Sequence, residues 1–336
     1  MAKKILIAPL DWGLGHSTRC VPLVKKLLQE GNEVFLASNG RSADFLENYF
    51  PELTLLRDVP DYAITYPSRG SFIFHLALQL PRIRRTIRAE HEWLIAKEKE
   101  FGFDQVISDN RYGLWSSNIP STIITHQLFP VAPFPIHKMV HSLVDSHLSR
   151  FDSCWVPDVE DPLKNLSGKL SHGNVPPYVQ YIGPQSRFQS GSTDQVTTEK
   201  NVLVILSGPE PQRSIFQELV LQLLLRLDIS SLIVCGKPGE SFEKQTGAVR
   251  VISHMADSDM RRSIRSSGTI ICRSGYSTIM DLHALGRRAV LVPTPGQTEQ
   301  EYLAHHLSEK CGFFTMAQDA LNERSLASVL DGPAGW

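Results

Sequence analysis

Five short segments of this 336-residue chain carry side chains suited to acid–base work, to lining a site or to holding an anion, and each follows an apolar run. In Asp11-Trp12-Gly13-Leu14-Gly15-His16-Ser17, Gly13 and Gly15 allow a tight turn and the close approach of a ligand. His16 then stands at the start of an expected helix. The positive end of the helix dipole disfavours imidazolium there and biases the ring toward the neutral form a general base needs. A turn whose histidine merely caps the helix explains this segment equally well. In Ser108-Asp109-Asn110-Arg111-Tyr112-Gly113, Asp109 also falls at a strand end, where it can orient an imidazole and stabilise its charged form. An Asx turn is the plainer explanation of Asp-Asn on its own. His126, before Gln127-Leu128-Phe129-Pro130, again follows an apolar run and can line the same side of the fold.

Two segments of the second half suit an anion. Ser207-Gly208-Pro209-Glu210-Pro211-Gln212-Arg213 has two prolines that remove backbone donors. A phosphate held there takes its donors from Ser207 and from the planar fork of Arg213. A stiff turn with a surface arginine is the alternative. The richest stretch is Cys272-Arg273-Ser274-Gly275-Tyr276-Ser277-Thr278-Ile279-Met280-Asp281. A small-residue turn at Ser274 and Gly275 opens a helix whose unpaired N–H groups and dipole favour a pyrophosphate. Asp281 lies one turn further, where its carboxylate can accept from both hydroxyls of a ribose. Gln300 begins the next helix and can bond sugar hydroxyls with both ends of its amide. Capping by Ser and Thr explains any one of these residues and accounts less well for the series.

These residues need a sheet to bring them to one edge. Apolar runs at Lys4–Leu10, Glu33–Ala37, Leu53–Leu56, Gln105–Ser108 and Thr122–Thr125 alternate with helical stretches such as Thr18–Gln29, capped by Ser17 and closed by Gly31. The pattern restarts with strands at Val202–Leu206, Ser231–Cys235, Val249–Ile252, Thr269–Cys272 and Ala289–Val292. Helices Ser214–Arg226, Asp257–Ser267, Ser277–Leu285 and Glu299–Lys310 lie between or after them. Strand–helix alternation predicts an α/β protein of two Rossmann-like domains facing across a cleft. They are expected at residues 1–185 and 201–336, joined by a Gly/Ser/Thr/Gln-rich linker at 186–200, with the last helix crossing back to the first domain. Ligands of open α/β sheets bind at the carboxyl ends of the strands, which is where all the singled-out residues fall.

A net charge of −1 gives no reason to expect nucleic acid, whose binders are basic. The five cysteines are odd in number and far apart, without a CxxC pair, which fits reduced thiols in the cytoplasm. The N-terminal apolar run is broken by Pro9 and Asp11, so it reads as a strand rather than a signal sequence. Apolar Phe72–Leu80 runs into Pro81-Arg82-Ile83-Arg84-Arg85-Thr86-Ile87-Arg88. Residues 72–88 therefore suit either peripheral contact with an anionic membrane or a core helix with a solvated basic face. Asp257-Ser258-Asp259 has the letters of a metal motif but reads as a helix start, so no metal is expected.

As a series these segments resemble the GT-B glycosyltransferases, above all the UDP-sugar enzymes related to the murein N-acetylglucosaminyltransferase. The likeness runs through nearly the whole chain and is strongest from Cys272 to Tyr302, where the CRSG turn, Asp281, Gly286, Pro293 and Gln300 keep the family's order. Gly15-His16 is similar to the family's N-terminal glycine loop, whose histidine is a proposed base. Ile182-Gly183-Pro184-Gln185-Ser186-Arg187 is similar to the segment whose arginine meets the donor phosphate. Three features differ: Leu14 separates the glycines, prolines replace a second glycine loop, and the paired glutamines become Gln300-Glu301.

The resemblance implies a GT-B fold and an inverting, metal-independent transfer from a nucleotide-diphosphate sugar, best guessed as a UDP-sugar. His16, oriented by Asp109, acts as base. Gly13, Gly15 and His126 line the acceptor side. Arg187, Ser207, Arg213, Ser274 and Gly275 hold the diphosphate, Asp281 the ribose, and Gln300 with Glu301 the sugar. No cofactor is expected. The acceptor stays open between a lipid carrier, a polysaccharide and a small molecule. A nucleotide-sugar 2-epimerase of the same fold and a non-catalytic, membrane-recruiting binding subunit are the competing readings. The expected location is the cytoplasm, with peripheral contact at the inner face of the membrane as an option.

Overall fold

The computed structural model describes residues 2–65, 78–132, 134–188 and 199–330. They form two compact units that divide between Gln185 and Ser186. In the N-terminal unit the order is β1 (Lys4–Pro9), α1 (Leu14–Gln29), β2 (Glu33–Ala37), α2 (Gly40–Tyr49), β3 (Thr54–Leu56), α3 (Leu80–Phe101), β4 (Gln105–Asp109), β5 (Ser121–Ile124), α4 (His137–Leu148), β6 (Ser153–Val156) and β7 (Val179–Tyr181). Its strands make one parallel sheet in the order β3-β2-β1-β4-β5-β6-β7. Alternate residues of β1 enter opposite cores. Ile5 and Ile7 pack with α1, whereas Leu6 and Ala8 pack with Leu94 of α3 and Val106 of β4. Burial on both faces is why the strand reads as an unbroken apolar run.

The C-terminal unit continues with β8 (Glu199–Ile205), α5 (Gln212–Arg226), β9 (Ser231–Val234), β10 (Glu243–Thr246), β11 (Val249–Ile252), α6 (Asp257–Ser266), β12 (Ser267–Cys272), α7 (Tyr276–Ala284), β13 (Val290–Leu291), α8 (Thr298–Lys310), β14 (Phe314–Thr315) and α9 (Glu323–Leu330). Its sheet runs β10-β11-β9-β8-β12-β13-β14, parallel except for the β10–β11 pair. Both sheets are doubly wound. The strand order reverses between β1 and β4 in the first and between β8 and β12 in the second. Pro9 pairs with Asp109 at the first switch point, and Ile205 with Cys272 at the second. A crevice opens at such a point, and ligands bind there.

Several local expectations change. Helix α1 starts at Leu14, not Thr18, because Gly13 at φ 124° takes a conformation that only glycine adopts readily and starts the helix early. Ser17 therefore lies buried inside the helix, its Oγ without a partner, and does not cap it. Of the expected linker, Ser186 and Phe188 are buried in the C-terminal unit, and β8 already begins at Glu199. Helix α9 buries Leu326 and Val329 in the core of its own unit. Residues 72–77 of the apolar-basic stretch, and 189–198 of the expected linker, lie outside the described residues.

Candidate functional site

The first switch point gathers four polar side chains. His16 sits in the first turn of α1, and Asp109 ends β4. His16 Nδ1 lies 2.7 Å from Asp109 Oδ1. Arg19, one turn beyond His16, reaches the same carboxylate: Nε donates to Oδ2 at 2.5 Å and Nη2 donates to Oδ1. Arg19 Nη1 stands 3.3 Å from Nδ1 of His126, which follows β5. Asp109 is fully buried, and Arg19 and His126 nearly so. Although burial raises the Asp109 carboxyl, Arg19 and His16 more than reverse that and hold it far below the usual carboxylate range. It is ionised and can only accept, so the 2.7 Å contact favours a proton on His16 Nδ1, although Arg19 Nη2, a donor, also lies 3.0 Å from that nitrogen. The lone pair is then on Nε2. Burial, which outweighs the pull of Asp109, lowers the His16 pKa, with Arg19 and His126 adding to the effect. A neutral, oriented imidazole has the chemistry of a general base.

The loop before α1 is braced from below. Asp11 Oδ1 accepts from the Ser42 N–H at the start of α2 at 3.3 Å, and a Cβ on Gly40 would come within 2.2 Å of Asp11 Oδ2. Beside it, buried Arg111 donates to Pro9 O at 3.0 Å and to Glu90 at 2.9 Å, tying the ends of β1 and β4 to α3. Gly15 lies within the first turn of α1, and its carbonyl accepts from Thr18 Oγ1 at 3.1 Å. His16, Asp109 and His126 meet at one edge, as their order along the chain leads one to expect, and Arg19 joins them unannounced. The signal was the three-residue spacing from His16, which puts both on one helix face once the helix starts at Leu14.

At the second switch point, Ser207 follows β8 and Gly275 caps α7. A Cβ on Gly275 would stand 4.0 Å from Ser207 Oγ, so the two turns abut. No side chain caps α7 among the described residues. By contrast, the start of α5 is taken: Ser214 N–H donates to Glu210 Oε2 at 3.2 Å and Arg213 N–H to Pro209 O at 3.2 Å. The Arg213 guanidinium is also engaged, with Nε on Glu210 at 3.0 Å and Nη1 on Gly236 O at 3.1 Å. This corrects the expectation that its fork faces a diphosphate. Arg273 likewise lies buried over the Phe216 ring and donates to Val292 O, Pro293 O, Gln212 O and Gln318, so it ties loops together. Ser274 Oγ is buried and donates to Gln300 O at 2.7 Å, which leaves its backbone rather than its hydroxyl for a ligand.

Asp281 carries two neighbours from just past the unit boundary. Ser186 Oγ donates to Oδ1 at 2.6 Å, and Arg187 Nε lies 3.7 Å from Oδ2. Arg187 also pairs with Asp257 at 2.9 Å, so its charge is matched by two carboxylates, and Asp257 belongs to an ion pair at the start of α6. Burial, only partly offset by Arg187 and Ser186, raises the Asp281 pKa to about 6. Gln300 Oε1 accepts from the Thr294 N–H at 2.9 Å, which turns the amide nitrogen to other partners. Glu301 Oε1 accepts from the Gly296 N–H at 2.8 Å and braces the turn that carries Gln300.

Two doubly wound units in tandem, each with polar groups at its switch point, are the architecture of the GT-B glycosyltransferases. Solved structures bear this out for the fold. SnogD of Streptomyces nogalater aligns with 98% of this chain and 91% of its own at a TM-score of 0.66 and 14% identity. MurG of Acinetobacter baumannii aligns with 97% and 89% at 0.57 and 16%. Residues 204–332 match the Glycosyltransferase family 28 C-terminal domain. An uncharacterized glycosyltransferase of Methanosarcina acetivorans is 25% identical over 91% of this chain and 84% of its own length. The UDP-N-acetylglucosamine–N-acetylmuramyl-(pentapeptide) pyrophosphoryl-undecaprenol N-acetylglucosamine transferase of Paramagnetospirillum magneticum is 27% identical over 59% of this chain and 57% of its own. The chain thus has the fold of the GT-B glycosyltransferases, and its residues 204–332 are similar to the glycosyltransferase family 28 C-terminal domain.

Proposed function

We propose that this protein transfers a sugar from a UDP-sugar to an acceptor hydroxyl, with inversion and without a metal. The observation that carries the reading is the neutral His16 held on ionised Asp109 at the switch point of the N-terminal unit. His16 Nε2 takes the acceptor proton. The acceptor oxygen bonds to the anomeric carbon as the bond from that carbon to the diphosphate breaks, and the electron pair leaves on UDP. In-line attack inverts the centre. The uncapped start of α7, with Gly275, Ser207 and the Ser274 backbone beside it, stabilises the departing diphosphate by aligned N–H dipoles. Asp281 retains lone pairs for the ribose hydroxyls, and the Gln300 amide nitrogen meets the sugar. Because the helix end supplies the positive field and Asp257 is paired with Arg187, the reading assigns no role to a divalent cation.

The uridine donor rests on the printed activity of the murein transferase relatives, which also names a lipid-linked acceptor. We extend both to this chain and place the reaction at the cytoplasmic face of a membrane. Exposed Leu78 and the exposed arginines Arg82 and Arg85 at the start of α3 suit that contact. No helix among the described residues is long and apolar enough to span a bilayer, so contact would be peripheral. The test is release of UDP from a panel of UDP-sugars with lipid, polysaccharide and small-molecule acceptors, with and without EDTA. Acceptor-dependent release unaffected by EDTA and lost in His16→Ala supports the proposal. Epimerised sugar without any acceptor, or full turnover in His16→Ala, would overturn it.

A further inference from the structure

The N-terminal unit has a cavity of about 440 Å³ between α3 and α4, apart from the His16 cluster. Arg84, Arg88 and His91 stand at i, i+4 and i+7 and so share one face of α3. His147 on α4, and Arg150 in the turn after it, face them with a spacing of three, and Trp115 lines the cavity between the helices. The volume falls in the range of small-ligand sites. No carboxylate lines it. Among the described residues, none of the three arginines makes an ion pair.

The polar groups here are held in place yet lack partners. His91 Nδ1 donates to Trp115 O at 3.0 Å and its ring stacks on the indole at 4.0 Å. The Arg150 guanidinium lies 5.7 Å from the centre of the same indole. Trp115 Nε1 and His147 Nδ1 are both buried without a hydrogen-bond partner. Buried donors without partners are rare in folded proteins and call for an explanation. Burial lowers the His147 pKa, and the charges of Arg150, in the turn after α4, and Arg84, on α3, lower it further. A solvated basic face would be convex, flanked by acidic residues, and without buried orphan donors. Three guanidinium forks around one hollow that no carboxylate lines are a donor set that recognises a phosphate group.

We infer that this cavity binds a phosphate group, free, on a small ester, or on a lipid headgroup. The inference is independent of the base and donor assignments above. Its test is calorimetric titration with inorganic phosphate and with glycerol 3-phosphate, in saturating UDP to fill any donor site. One site is expected, weakened about ten-fold by Arg88→Gln or Arg150→Gln and abolished by the pair. All three arginines are exposed, so the variants are expected to keep the parent melting temperature, which is measured alongside. Sedimentation with phosphatidylglycerol vesicles, against phosphatidylcholine vesicles, separates the sources. If the double variant loses both phosphate and phosphatidylglycerol binding, the ligand is a headgroup. If it loses phosphate alone, the ligand is a soluble ester. Undiminished phosphate binding in the double variant, or none in the parent, overturns the inference.

Discussion

Replacing Asp109 by Asn tests the base assignment through the residue that creates it. The change keeps the shape of the side chain and removes one charge at a fully buried position. Two consequences separate. Arg19, 2% exposed at its side chain, loses the carboxylate that neutralises it. Breaking a buried pair on one side costs about 3–5 kcal/mol, a large share of a total stability of about 5–15 kcal/mol. Catalytically, the amide no longer requires His16 Nδ1 to carry the proton. The imidazole can then turn its lone pair inward, and kcat is expected to fall by about 10²–10⁴, the usual size of a general-base contribution. The double variant Asp109→Asn/Arg19→Met decouples the two effects. With both charges gone, stability should recover most of the loss, because replacing a buried ion pair by apolar groups is often close to neutral. Activity should not recover. The assay is kcat at saturating donor, with chemical melts of parent, single and double variants. A double variant that regains both stability and full kcat would refute the argument, since Asp109 would then have served only to neutralise Arg19.

The lowered His16 pKa sets the acid limb of the pH profile. On the proposed base role the neutral ring is the active form, so kcat/KM should hold down through pH 6.5 and fall only below the ordinary histidine value; a limb above 6.5 would contradict the buried, Arg19-flanked environment. On the proposed ribose role, Asp281, whose pKa is raised to about 6, loses its charge and one acceptor site on protonation, so nucleotide affinity should decline as pH drops through about 6. Asp281→Asn should bind UDP about ten-fold more weakly with that pH dependence gone, measured by calorimetry. Stability runs the opposite way: with its folded pKa raised above the ordinary 3.8, this carboxyl favours the fold when protonated and costs stability as pH rises between about 4 and 6. Gly113→Ala places a Cβ 2.2 Å from the Ile87 carbonyl and 2.6 Å from Glu90 Cβ, and should lower stability by about 1–3 kcal/mol in urea melts. Glu90→Gln strands the buried Arg111 and should cost about 3–5 kcal/mol by the same measurement.

The sheets were legible in the sequence where burial on both faces makes a strand continuously apolar. Lys4–Pro9 and Glu33–Ala37 announce themselves in this way. What escaped were strands without that signature. Glu243–Thr246 is EKQT, exposed at all four positions, and exists as a strand because it pairs antiparallel with β11 at the sheet edge. Phe314–Thr315 is two residues, too short for any period to register. Helix α4 buries only Leu148, so it lacks the apolar stripe by which a helix is read.

The site divides along a different line. Position was readable because strand ends in a doubly wound sheet converge, so His16, Asp109 and His126 could be grouped from order alone. Engagement was not. Arg213 and Arg187 have the right chemistry for a diphosphate, and nothing local reveals that Glu210 and Asp257 occupy them. The same blindness hid Arg19, whose role exists only because a helix starts four residues early at a glycine with φ 124°. A change at Gly13 should therefore matter more than its lack of neighbours implies. No atom lies within 4 Å of a Cβ built there, so the cost is purely one of backbone conformation. Any L-residue shifts the start of α1, and with it the register that stacks His16 one turn before Arg19 on a single carboxylate.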